Sequence, residues 1–158
     1  MLVTVTRAPL FMCGNYLKFS RDVSQTRWPD TNVTSLNPST SVEEEIARVA
    51  GTRVPCKETK FHAAGREDVD VRMLGDGRPF ALEFVDARVA ALSPAVLAEI
   101  VDGVNGGSDV VQIRDIHAGD KVRVCVCVHA PARMCVCLFV CVFLLLLVCS
   151  WSRACVNL

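Results

Sequence analysis

The chain has 158 residues, with seventeen basic against seventeen acidic side chains and no formal net charge at neutral pH. That length supports one domain with a real core, while the charge balance excludes a uniformly basic nucleic-acid coat, so affinity for a polyanion has to come from a local patch. Nine residues are cysteine, but only Cys13 and Cys56 precede residue 125, so the excess belongs to the C-terminal tail and not to a disulfide framework.

Met1 to Thr6 contains no apolar run of signal-peptide length, and Arg7 interrupts it early, which predicts an intracellular protein, nuclear or cytoplasmic. The next segment reads as a strand and loop in which Arg7, Tyr16, Lys18, Phe19, Arg21, Arg27 and Trp28 mix basic with aromatic side chains. Pro29 to Thr40 is rich in Asn, Ser, Thr and Pro and reads as a polar loop. Ser41 and Glu44 form a capping box that starts a helix over 42–50, and Gly51 is expected to stop it. A strand near Lys60 to Ala63 follows.

Asp68 to Leu74 alternates Asp68, Asp70 and Arg72 with Val69, Val71 and Met73, the period-2 pattern of a half-buried strand. Gly75-Asp76-Gly77 tolerates positive φ and predicts a tight turn into a second strand, Arg78 to Val85, so the pair reads as a β-hairpin with one charged face. On that face Asp70, Arg72 and Glu83 read as ion-pair support. Ser93-Pro94 opens a second helix to about Asp102, with Val96, Leu97, Ile100 and Val101 as its apolar stripe. Gly103 to Gly107 reads as a loop, Val110 to Ile116 as a β-branched strand, and Lys121 to Val124 as the start of another. This order predicts an α+β domain with helices on one face of a mixed or antiparallel sheet. His62 and His117 lack ligand spacing, and no metal site is expected.

The run Gly65-Arg66-Glu67-Asp68-Val69-Asp70-Val71-Arg72, continued through Gly75, Gly77-Arg78-Pro79-Phe80 and Glu83, resembles the signature of the archaeal and eukaryotic tRNA pseudouridine synthases that act on the T-arm, the Pus ten family. An upstream block, Pro9-Leu10-Phe11 to Gly14, Tyr16 to Arg21 and Gln25 to Trp28, adds to the resemblance. It covers roughly residues 3 to 124, about the first half of that family's catalytic domain, without the family's long N-terminal RNA-binding region. The resemblance implies that Asp68 is the catalytic aspartate, acting as a nucleophile at C1′ or as a base at C2′ of a uridine in tRNA, with no cofactor. Arg66, two residues away and on the same face of the expected strand, would orient that carboxylate. Extruding a base from folded RNA requires backbone contacts and stacking, for which Tyr16, Lys18, Arg21, Arg27, Arg72 and Arg78 are the candidates. No protein partner is expected.

From Cys125 the composition changes to Cys-Val and then Leu-rich repeats. Alternating Cys and Val is what a TGTGTG repeat encodes in one frame, so residues 125–158 read first as translated repeat or intron. Residues 134–152 also form a charge-free stretch of about the 20 apolar residues that span a bilayer. Cys125, Cys127, Cys135 and Cys137 repeat a CxC spacing that soft metals bind, without a supporting shell. With half of the catalytic domain replaced by such a tail, weak or absent turnover is expected. The competing functions are a tail-anchored membrane protein without catalysis and a non-catalytic RNA-binding fragment.

Overall fold

The computed structural model describes residues 7–28 and 39–120. Four antiparallel strands form one sheet: β1 (Leu10–Lys18), β4 (Glu58–Ala63), β5 (Met73–Val85) and β6 (Val111–Gly119), in the order β4-β5-β1-β6. Two-residue strands β2 (Val23–Ser24) and β3 (Thr40–Ser41) pair in parallel beside it. Helices α1 (Val42–Arg53) and α2 (Pro94–Gly107) complete the α+β domain. The mixed α+β composition expected from the sequence is therefore present, with a main sheet that is antiparallel throughout.

Alternation along the strands decides which side faces the helices. Met12 and Tyr16 of β1, Phe80, Leu82 and Phe84 of β5, and Val111 and Ile113 of β6 join Ile46, Val49 and Ala50 of α1 and Leu97, Ile100 and Val104 of α2 in one buried core. Phe11, Cys13 and Ala81 form a small second cluster from the alternate positions. Asn105 fastens α2 to β6 by donating to the Ile113 carbonyl at 3.0 Å and accepting from the Ile113 amide at 2.8 Å.

Both helix starts follow the expected chemistry. Ser41 Oγ accepts the Glu44 amide at 3.1 Å and donates its own proton to the Glu44 carboxylate at 2.7 Å. Ser93 Oγ accepts from the Val96 amide, with Pro94 in the first turn. Both helix ends lie beyond the expected positions. Gly51 is tolerated inside α1, which stops at Arg53 because Pro55 holds Val54 in an extended conformation. In α2 the glycines expected to form a loop are helical; Gly103 lies against α1, where a Cβ would stand 2.7 Å from Val49 Cγ1. It is a glycine of close packing, not of chain reversal.

The expected hairpin is not formed. Met73 pairs with Lys18 and Arg78 with Tyr16 of the same strand, so β5 is one strand that extrudes Leu74 to Gly77 as a wide bulge. Gly75 and Gly77 do take positive φ, at 66° and 75°, and a Cβ on Gly77 would lie 2.6 Å from the Tyr16 carbonyl oxygen. The turn chemistry was real, but it serves a bulge. Arg114 of β6 holds that bulge by donating to the Gly75 carbonyl at 2.8 Å and the Asp76 carbonyl at 3.2 Å. Asp68 consequently belongs not to a strand but to the irregular segment between β4 and β5.

The strand expected from Lys121, the tail 125–158 and the apolar stretch 134–152 lie outside the described residues. Among the described residues no helix is long and apolar enough to cross a membrane.

Candidate active site

The segment between β4 and β5 is held at four backbone carbonyls by three side chains. Arg78 Nη1 donates to the Ala64 carbonyl at 2.6 Å, and Gln25 Nε2 donates to that of Gly65 at 3.0 Å. Lys18 Nζ donates to the carbonyls of Asp68 at 3.2 Å and Val69 at 3.0 Å, and to that of Val23 at 2.9 Å. The Asp68 carbonyl also accepts the Val71 amide, which closes a turn over Val69 and Asp70. Gly65, at φ 84°, allows the chain to enter this segment beside the Arg78 guanidinium.

Beneath the segment lies a buried ionic centre. The Glu67 side chain is 2% exposed, with Oε2 accepting from Arg78 Nε at 3.0 Å and Oε1 3.8 Å from the Lys18 ammonium, which has no exposed surface. Burial pushes the Lys18 ammonium below its ordinary range, and Glu67, then Asp70 and Asp68, oppose that shift. Tyr16 is fully buried against Phe61 and Phe80 at ring separations of 5.9 and 6.1 Å, and its hydroxyl accepts from Gln25 Nε2 at 2.9 Å. Burial raises the Tyr16 phenol well above its ordinary range; the Gln25 hydrogen bond lowers it and the Glu67 charge raises it further.

Glu67 points inward, whereas its neighbours Arg66 and Asp68 are both exposed. Neither an Arg66–Asp68 nor an Asp70–Arg72 ion pair forms among the described residues, because the turn at Val69 and Asp70 replaces the regular strand that would have aligned them. Beside the segment is a cleft of about 280 Å³ lined by Ser24, Gln25, Thr26, Arg27 and Trp28 on one wall and by Arg66, Glu67 and Val69 on the other.

The RNA-contact candidates separate into two groups. Arg21, Arg27 and Arg72 are exposed; Arg27 also packs against the start of α1, its amide donating to Glu43 at 3.2 Å and its Nε 3.7 Å from Glu44. Tyr16 and Lys18 present no surface, and Arg78 is committed to Ala64 and Glu67. These three support the loop from below instead of facing a ligand. The placement of Tyr16 and Lys18 follows from β1 alternation: Met12, Tyr16 and Lys18 share the core-facing side, so a lysine there needed a buried acidic partner. That pattern was the available signal for Glu67, which sequence reasoning had not assigned a role. Among the described residues no cluster of His, Cys, Asp and Glu has the arrangement of a metal site.

Fold and loop together define an α+β domain whose exposed Asp68–Asp70 turn stands on a backbone held from below by a buried ionic centre. Comparison with known proteins identifies its family: the model described as Pus10, C-terminal, matches residues 11–131, and the chain belongs to that family. The match extends past Val124 into the first Cys-Val repeats. The chain is 40% identical over 114 residues to the tRNA pseudouridine synthase Pus10 of Thermofilum pendens, covering 72% of this chain and 25% of that protein. It is 39% identical over 126 residues to the protein of the same name from Archaeoglobus fulgidus, covering 73% and 34%, and 36% identical over 107 residues to that of Homo sapiens, covering 68% and 20%. The chain thus spans between a fifth and about a third of the length of these relatives.

Proposed function

We infer that this chain carries the uridine-isomerising loop of a tRNA pseudouridine synthase and that its substrate is the T-arm of tRNA. Asp68 is the catalytic residue. Its carboxylate attacks C1′ of the extruded uridine or removes the C2′ proton, and the N1–C1′ bond breaks. The released uracil turns within the site and C5 bonds to C1′ as the carboxylate departs from C1′ or returns the proton to C2′; the C5 hydrogen leaves to solvent and N1 takes up a proton, so the reaction is an isomerisation without cofactor. Arg66, exposed beside Asp68 and without an internal partner, contacts a substrate phosphate. Arg21, Arg27 and Arg72, all exposed, add phosphate contacts.

The observation that carries this reading is the outward Asp68 on a loop pinned at four carbonyls, in a chain whose relatives bear the name tRNA pseudouridine synthase. A backbone fixed by buried donors positions a reacting carboxylate without any ordering step on binding. Because the chain spans only part of its relatives' length, turnover by the chain alone is weak or absent. Its compartment is the nucleus or cytoplasm, where tRNA is processed.

The test uses unmodified tRNA carrying tritium at uridine C5 and protein in excess. Slow tritium release that Asp68→Asn abolishes is expected. Release indifferent to Asp68→Asn would overturn the reading.

A further inference from the structure

Among the described residues four large apolar side chains are exposed, and two of them, Val71 at 43% and Leu74 at 52%, follow closely after Asp68. Neither joins the core, although Met73 between them packs against it. Val71 closes the Asp68 turn through its amide, and Leu74 opens the bulge at 74–77. Turn and bulge are mounted on the same residue of β1: the Lys18 ammonium holds the Asp68 carbonyl at 3.2 Å, and Lys18 is the register partner of Met73, the residue before Leu74. Arg114 fixes the bulge from β6 through the Gly75 and Asp76 carbonyls. Three residues span at most about 10 Å, so Leu74 stays near Val71. The fold therefore braces two exposed apolar side chains beside the reacting turn.

We propose that Val71 and Leu74 form a wedge that enters the base stack of the RNA at the place the target uridine has left, filling the gap and holding that nucleotide extruded. The inference rests on the isomerase reading of Asp68, because an enzyme that takes a nucleotide out of its stack leaves such a gap behind. Unstacking is costly, and an apolar side chain that replaces the missing neighbour recovers part of the cost. One short segment then serves both ends of the step: Asp68 meets the uridine outside the stack, and the side chains that follow it occupy the vacated position.

The size and charge of the patch select this partner. A stable protein interface takes about 20–30 residues from each side and a membrane-lying helix needs a whole apolar face, whereas proteins that kink a duplex insert single apolar side chains at a base step. Arg72, exposed between Val71 and Leu74 and without an ion pair among the described residues, is available to a phosphate beside that step. Asp76 in the bulge is paired with Arg114 at 3.1 Å, which offsets its repulsion of the RNA backbone. The exposed carboxylates of Asp68 and Asp70 attract no phosphate, so the apolar pair has to hold the RNA at this point.

The test uses T-arm stem-loops with 2-aminopurine placed next to each loop uridine in turn, since its fluorescence rises when it loses a stacked base, and reads the signal at saturating full chain. At one position wild type should raise the signal severalfold. Leu74→Ser and Val71→Ser should each remove about half of that rise or more and weaken binding about tenfold, and Leu74→Met should restore both. These side chains lie outside the core, so the unfolding midpoints of the serine variants should match wild type. Val89→Ser, at an exposed apolar residue of the connection between β5 and α2, should change neither signal nor binding. No rise with bound RNA, a saturated rise that survives both serine substitutions, or loops that never bind would each refute the wedge. Asp68-dependent tritium release from the same loops in that event leaves the isomerase reading standing, whereas release indifferent to Asp68→Asn removes both.

Discussion

The ammonium of Lys18 and the carboxylate of Glu67 lie 3.8 Å apart with almost no solvent access to either, and the same ammonium donates to the carbonyls of the two residues that follow Glu67. One buried cation thus serves as counter-ion and as backbone clamp for the Asp68 turn. Removing one member of such a pair leaves a buried charge uncompensated, which costs about 3–5 kcal/mol. Lys18→Met and Glu67→Leu should each fall in that range in urea unfolding. The double variant should be less destabilised than the sum by about 1–3 kcal/mol, because neither charge is then stranded. It should not regain wild-type stability, since the carbonyls of Val23 and Val69 still lose their donor. Additive losses would show that the two groups do not act as a pair.

Asp68 should behave oppositely. Its backbone carbonyl is held, but its exposed carboxylate forms no hydrogen bond or ion pair with the described residues. Asp68→Asn should therefore leave unfolding free energy within about 0.5 kcal/mol of wild type while abolishing tritium release. A large loss of stability would mean that the carboxylate has a structural partner and that lost activity reports misfolding.

The single tyrosine makes the core directly observable by titration, because any phenolate absorbance change comes from Tyr16. Its folded pKa is raised by burial above the unfolded value near 10. Between those two values the unfolded state has lost the phenolic proton and the folded state retains it, so stability falls as pH rises through that window; below pH 10 the contribution is fully present. Phenolate absorbance should therefore appear together with alkaline unfolding and not as a separate step before it. Gln25→Ala, which removes the hydrogen bond that lowers the phenol, should delay ionisation further in the folded protein. A reversible titration near pH 10 in fully folded protein would contradict the sealed position of Tyr16.

What the sequence revealed and what it concealed divide along physical lines. Ser41 and Ser93 were legible as helix starts because a cap is settled within three residues. The ends of both helices were not, because Gly51 and Gly103 are locally indistinguishable from stop signals; only the contact of Gly103 with Val49, remote in sequence, shows its purpose. The hairpin failed for a related reason. Positive-φ residues at Gly75 and Gly77 announce a bend, but whether the chain reverses or bulges depends on what Met73 finds, and it finds Lys18 of β1. Asp68 was reached through resemblance, and the alternation of its neighbours suggested a strand that the turn at Val69 interrupts. The supporting centre was partly readable: Tyr16 and Lys18 are two apart and therefore share a face, and the buried position of Met12 makes that face the core.

The glycines turn that difference into a matched experiment. Gly51 is exposed within α1, and a Cβ there meets nothing within 4 Å, so Gly51→Ala should stabilise the protein by about 0.5–1 kcal/mol through reduced freedom of the unfolded chain. Gly77 combines positive φ with a Cβ position 2.6 Å from the Tyr16 carbonyl, so Gly77→Ala should cost about 1–3 kcal/mol. Gly75 has positive φ but open space, which isolates the backbone contribution: Gly75→Ala should cost about 1 kcal/mol, and Gly75→Asn less, because asparagine tolerates the left-handed region better. Unfolding midpoints in the order Gly51→Ala, wild type, Gly75→Ala, Gly77→Ala would follow from a bulge at 74–77. If residues 75–77 instead reversed the chain in a hairpin away from β1, Gly77 would no longer abut Tyr16, and the two bulge variants would lose stability equally.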